Sequence, residues 1–285
     1  METKNVKISA QFGHEIAAVN FAKAFNLEVV IIPNKDNKED YEKEAETILN
    51  NMSFFYDRIT IVPFEEKEAA NASAWDIIGD LKAGTLDDDL WNNFATSRLV
   101  PSNLENLPAY NGLANRENVL VIPQKLISDG ECGITAKQQS LPLEAFEFLN
   151  ACPQDFVLGQ HFHKINDRPA VEALAQRFEM YVPGMTENPE VFGIRGVQHR
   201  MYYNMYASLK ASVGIAGTHT WLLLTMFPDI PQLILFNKKG VERWKAIEAA
   251  YQKQGYNIIC LGFDENTDMA EFAKEIETNY AKLFA

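Results

Sequence analysis

The chain has 285 residues, of which 47% are hydrophobic, and a net charge of -13. That length and composition allow one large or two medium domains with a substantial core, and they exclude a disordered chain. A balance this acidic excludes a duplex nucleic-acid binder, which needs a basic face, and argues against broad adhesion to anionic membranes. It leaves room for a local basic site.

Cys132, Cys152 and Cys260 are odd in number and no two have close metal-ligand spacing. Neither a disulfide framework nor a zinc module is therefore expected. Residues 1–5 lack the apolar run of a signal peptide, and no segment approaches 18 apolar residues. The expected setting is a reducing cytoplasm, with no transmembrane helix.

Residues 6–10 read as a first strand, 11–15 as a turn, and 16–25 as a helix with Ile16, Val19 and Phe21 on its buried side. The apolar run 27–32 ends at Pro33, as a buried parallel strand does. Together these make a βαβ start. Residues 36–49 read as a helix with a solvated charged face, 58–64 as a third strand, and 65–82 as mainly helical. Asp87, Asp88 and Asp89 suggest a helix start before Leu90; the rest of 85–115 reads as irregular. Gly13, alone between Ala10 and Ile16, is not the three-glycine dinucleotide fingerprint. His14 and Glu15 read either as a capped, solvated helix start or as groups at the mouth of a ligand site.

The second half opens on a strong strand at 118–123. A loop at 124–140 carries Lys125 and Lys137, which are either solvated or charge partners for a phosphate. A helix at 141–149, a strand at 155–159 and a helix at 169–178 follow. His161 and His163 make only half a metal site. A strand at 178–183, a loop at 184–196 and a helix at 197–206 lead to the stretch 212–224. There the spacing predicts a buried strand, a small-residue turn and an apolar helix. A helix N-terminus after a strand and a glycine makes an anion site, with Thr218 or Thr220 as cap and His219 within reach of a phosphate. The same residues also read as a plain tight connection. Strands at 232–236 and 257–261, a helix around Trp244 and a final amphipathic helix at 268–284 complete the chain. Strands alternate with helices throughout, which predicts a parallel α/β architecture.

Two α/β halves, with a Gly-x-His turn after a strand in the second, resemble GT-B glycosyltransferases. The local likeness is to the heptosyltransferase-like family of bacterial lipopolysaccharide assembly. It is carried by 203–211, Val213 to Ala216, Gly217-Thr218-His219, the apolar helix 221–227, Pro231 and 233–237. The strand 119–123 with Lys137 and Leu141-Pro142-Leu143-Glu144 resembles that family's entry into its nucleotide-binding half. The family's Asp-Thr-Gly before the histidine reads Ala216-Gly217-Thr218 here.

The resemblance implies two Rossmann-like domains with parallel sheets and an interdomain cleft. The acceptor-side domain would be 1–117 and the nucleotide-sugar domain 118–267, with the helix 268–285 crossing back to the first. It implies metal-independent transfer of a sugar from a nucleotide-sugar, with no cofactor, to a glycan or other hydroxyl acceptor. Gly13, Lys125, Lys137, Arg195, Gly217, Thr218, His219 and Thr220 would bind the donor, and His14 or Glu15 would act as base. Two alternatives use the same seat: a sugar-nucleotide epimerase or hydrolase, and a non-catalytic nucleotide-sugar-binding protein.

Overall fold

Val6, Ile8, Val29 and Ile31 are almost wholly buried, and their β-branched side chains suit short parallel strands. In a computed structural model of the chain, Val6–Ile8 (β1) pairs with Val29–Ile31 (β2), which pairs with Ile59–Ile61 (β3). Both pairings are parallel, with Val6 opposite Val29 and Val29 opposite Ile59. The structure describes residues 5–9, 12–100, 118–123, 140–159, 168–182, 203 and 205–285, leaving aside the side chains of Phe12, His14, Arg168 and Ala170. The chain is α/β, with one parallel sheet of three strands and one of five. It divides into two compact units: 1–108 with 217–228, and 109–216 with 229–285.

In the first unit the helix after β1 starts earlier than its periodicity suggests. It spans Phe12–Phe25 (α1), so Gly13 and Glu15 stand in its first turn rather than in a loop. A carboxylate there is favoured by the helix dipole. Every residue from Ile16 to Ala22 is buried. A helix apolar on all sides has to be covered on all sides. β1 covers one side, and the helix Thr218–Met226 (labelled α7 below) packs on another. That second helix is buried continuously from His219 to Met226. Trp221 meets Phe94 edge to face at 6.2 Å, and the Leu99 N–H donates to the Thr225 carbonyl at 2.9 Å.

The helix Lys38–Met52 (α2) follows β2, and after β3 the helical reading of 65–82 breaks in the middle. A 3-10 turn at Phe64–Glu66 leads into Lys67–Ser73 (α3), and a separate helix occupies Ile77–Ala83 (α4). The interruption has a tertiary cause. Trp75 extends to pair with β1, giving its N–H to the Asn5 carbonyl at 2.7 Å and accepting from the Lys7 N–H at 2.9 Å. Asp76 restarts the helix by accepting from the Gly79 N–H. The helix Asp88–Thr96 (α5) starts at Asp87, which accepts from the Leu90 N–H.

The second unit holds Asn118–Ile122 (β4), Asp155–Leu158 (β5), Leu209–Ile215 (β6), Gln232–Asn237 (β7) and Ile258–Phe263 (β8). All are parallel, in the order β5-β4-β6-β7-β8. After the helix Arg168–Arg177 (α6), the strand expected at 178–183 is reduced to one parallel bridge, Tyr181 to Val157, at the β5 edge. Counting that bridge, the order is 3-2-1-4-5-6, that of the doubly wound dinucleotide-binding sheet. The order reverses between β4 and β6.

Alternate strand residues face opposite layers. Leu233 and Leu235 join a core with Phe146, Leu149, Phe272 and Ile276. Phe236 stacks on Trp244 of the helix Val241–Lys253 (α8) at 6.3 Å. The stretch 141–149 does not form an α-helix: Leu143–Ala151 runs as a 3-10 helix. Three residues per turn bring Phe146 and Leu149 over one another, both buried in that core. The final helix, Met269–Lys282 (α9), lies in this same unit, against Leu143–Ala151, β7 and β8.

Inside β6, Gly214 has φ +153°, and a Cβ there would lie 2.4 Å from the Ile122 carbonyl oxygen. Only glycine lets β6 come this close to β4. The tight spot lies at the carboxyl ends of the two strands where the order reverses.

Candidate functional site

Parallel sheets bind ligands beyond the carboxyl ends of their strands. In the first unit a cavity of about 480 Å³ opens there. Ile8 and Ser9 at the end of β1, Asn34 and Lys35 beyond β2, and the first residues of α4 form its wall. Glu15, in the first turn of α1, lines it as well and is only 4% exposed. The short β1 allows this: the strand ends at Ile8 and the helix starts four residues later, so the first helical turn sits over the strand end.

The cavity is strongly polar. Lys7, Lys35 and Lys82 face Glu15, Glu44 and Asp76. Lys35 Nζ lies 3.1 Å from Glu44 Oε2. Lys7 Nζ lies 3.9 Å from Asp76 Oδ2 and donates to Asn71 Oδ1 at 2.8 Å. Of these charges, the sequence marks Glu15 as one of two candidates at a ligand mouth and places Glu44 on a solvated helix face, and it singles out none of the others. The signal that could have found them was position: Ser9, Asn34 and Lys35 all follow the ends of parallel strands.

A second group from the sequence lies in the same unit. Gly13 packs directly on Thr218, and a Cβ on Gly13 would lie 3.1 Å from Thr218 Cα and 3.2 Å from its Oγ1. The start of α1 thus abuts the start of α7, both in the first unit. Gly217 is the N-cap of α7, in extended backbone that any residue can adopt. Its N–H donates to Thr220 Oγ1 at 3.2 Å, so Thr220, three residues into the helix, supplies the N3 half of a capping box, while Gly217 has no side chain to supply the other. Thr218 is half-buried, whereas His219 and Thr220 are buried within the unit. Helix geometry leaves the first N–H groups of α7 without a carbonyl one turn back.

The structure therefore brings Gly13, Glu15, Gly217, Thr218, His219 and Thr220 into one unit, on two helix starts in contact. The backbone of His14 falls between Gly13 and Glu15 in α1. Lys125, Lys137 and Arg195 lie outside the described residues, as do His161 and His163. Among the described residues, no three or more His, Cys, Asp or Glu gather in a way that could hold a metal ion. No described helix is long and apolar enough to cross a membrane.

No protein-family model matches the chain, and no curated protein and no solved structure matches it either. The chemistry of the site has to be argued from its own residues.

Proposed function

We propose that the chain is a glycosyltransferase of the GT-B-like kind, moving a sugar from a nucleotide-sugar to a hydroxyl of a glycan or similar acceptor. One observation supports the reading above the others. A nearly buried carboxylate, Glu15, lines a polar cavity at the carboxyl end of a parallel sheet. In the proposed reaction Glu15 takes the proton of the acceptor hydroxyl. The acceptor oxygen forms a bond to the anomeric carbon, and the bond from that carbon to the diphosphate oxygen breaks. The nucleoside diphosphate leaves with the bonding electrons.

The start of α7 is the proposed seat for that diphosphate. First-turn N–H groups and the helix dipole stabilise the negative charge that grows on the leaving group. Thr218, half-buried in that turn, supplies a hydroxyl. The contact between Gly13 and Thr218 ties this seat to the helix that carries Glu15. Sugar hydroxyls suit the cavity because its wall offers both donors and acceptors, in Ser9, Asn34, Asp76 and the lysines.

The test uses the full chain with a panel of nucleoside diphosphate sugars, with and without sugar acceptors. Thermal stabilisation by one donor, and acceptor-dependent release of its nucleoside diphosphate, are the expected results. A donor that stabilises the protein without turnover would instead favour a nucleotide-sugar-binding protein. Release without acceptor would favour a hydrolase. Absence of any stabilisation across the panel would refute the diphosphate seat.

A further inference from the structure

The cavity beside Glu15 carries three ammonium groups and three carboxylates. Four of these six charges are matched within the wall, as Lys7 with Asp76 and Lys35 with Glu44. Glu15 has the catalytic part in the proposed reaction. That leaves Lys82. It is half-buried on the last turn of α4, and among the described residues it has no hydrogen-bond or ion-pair partner. Ser9 and Asn34, on the same wall, likewise make no side-chain hydrogen bond among the described residues.

An ammonium whose stem is packed against protein has lost part of its hydration. A counter-charge is worth more to it there than on open surface. The remaining carboxylate of the wall is Glu15, the base of the proposed reaction, and Lys82 makes no ion pair with it. The cavity is neutral in sum, and among the described residues Lys82 is its one ammonium outside an ion pair, on a wall that also carries a hydroxyl and an amide.

We propose that Lys82 is the oxyanion seat of this cavity, and that its ligand is a small polyhydroxylated molecule carrying one such group, a phosphate ester or a carboxylate. This rests on the reading of the cavity as the acceptor site. There Lys82 acts as a specificity-determining residue: it anchors the charged end of the acceptor and so selects which hydroxyl reaches Glu15. Ser9 and Asn34 hydrogen-bond the remaining hydroxyls.

Calorimetric titration of the full chain tests this without a donor, so it does not depend on turnover. The probes are glucose 6-phosphate, glucuronate and glucose. One of the two charged sugars should bind about 10- to 100-fold tighter than glucose, the range expected of a charge-assisted hydrogen bond. Which of the two binds tighter tells phosphate from carboxylate. Lys82→Met should abolish the preference and leave glucose binding within about threefold, while Lys82→Arg should keep the preference. Raising the salt should weaken the charged probe alone. Equal binding of glucose and both charged sugars, a preference that survives Lys82→Met, or no binding of any probe would each overturn the proposal. Charged-sugar binding through Lys82 in a protein that releases no diphosphate from any donor would uphold this seat while refuting the transferase reading.

Discussion

Replacing Gly214 with alanine is expected to be one of the most damaging single-methyl changes in the second unit. The added Cβ would lie 2.4 Å from the Ile122 carbonyl oxygen and 2.6 Å from both Ile122 N and Cβ. Ordinary contacts between heavy atoms sit near 3.5–4.0 Å, so roughly 1 Å has to be found. It has to come from the backbone of β4, which is paired on both sides, to β5 and to β6. Overpacking of this kind costs about 1–3 kcal/mol, and φ +153° adds about 1–3 kcal/mol for a residue with a Cβ. A total of about 3 kcal/mol or more is a large share of the ~5–15 kcal/mol that holds a folded protein together. Gly255 supplies the control. Its φ is +85°, but a Cβ there meets nothing within 4 Å, so Gly255→Ala carries the backbone strain alone, about 1 kcal/mol. Urea denaturation measures both variants. Hydrogen exchange of the β4 and β6 peptides shows where Gly214→Ala acts, with faster exchange expected in both strands. If Gly214→Ala costs no more than Gly255→Ala, the close approach of the two strands is refuted.

Three further outcomes are expected. Gln232 is wholly buried at the start of β7, and among the described residues neither its amide oxygen nor its amide nitrogen has a hydrogen-bond partner. Gln232→Met keeps the shape and removes that penalty, so it should raise stability by about 1–3 kcal/mol in urea titration; a loss would mean that an ordered water satisfies the amide. Burial pushes the Cys260 thiol well above its ordinary range, with the nearby Glu248 adding to the effect. Mass spectrometry after treatment with a maleimide should therefore find Cys260 modified only in urea, and rapid labelling of the native protein would contradict its burial. The Asp264 carboxyl is held below its ordinary value of 3.8, first by the hydrogen bond from Thr267 and also by Lys238. A lowered carboxylate stabilises the fold above its unfolded value and loses that contribution as pH falls through the folded one. The stability gap between the protein and Asp264→Asn should thus be full at neutral pH and close as pH drops below 3.8, and a gap unchanged at acid pH would refute the pairing.

The architecture was legible where local pattern and tertiary demand agree. In the second unit β4, β5, β7 and β8 fall within two residues of their expected places, whereas β6 starts at Leu209, ahead of the strand expected from 212, and the strand expected at 178–183 is a single bridge. Trp75 shows where pattern alone misleads. Its neighbours favour helix, yet its backbone pairs with β1, and nothing local signals a partner some 70 residues away. The opposite error occurred at Gly13 to Glu15, where a glycine after a strand suggested a turn. There the requirement is close approach to Thr218, which lies far along the chain and which a helical glycine meets as well as a loop glycine.

The candidate site was legible in part for the same reason. Glu15 was singled out by its position after the first strand. Lys82 was not, because a lysine on a short helix ordinarily faces solvent. It stands at the cavity only because Trp75 interrupts the preceding helix and Asp76 starts a new one. The strand and helix of 212–224 read as one unit in sequence, yet they belong to different compact units, with the change at Gly217. No periodicity marks such a change, since both segments are equally apolar.

The most direct measurement on the central proposal is turnover by Glu15→Gln. The substitution keeps the size of the side chain and removes its ability to take a proton. With the donor and acceptor that support turnover, acceptor-dependent release of diphosphate is expected to fall by about 100- to 10,000-fold, the usual contribution of a general base. Donor binding, read by thermal stabilisation, should stay unchanged. A variant that turns over as fast as the parent protein would contradict the role of Glu15 as the base and the reading of its cavity as the acceptor site.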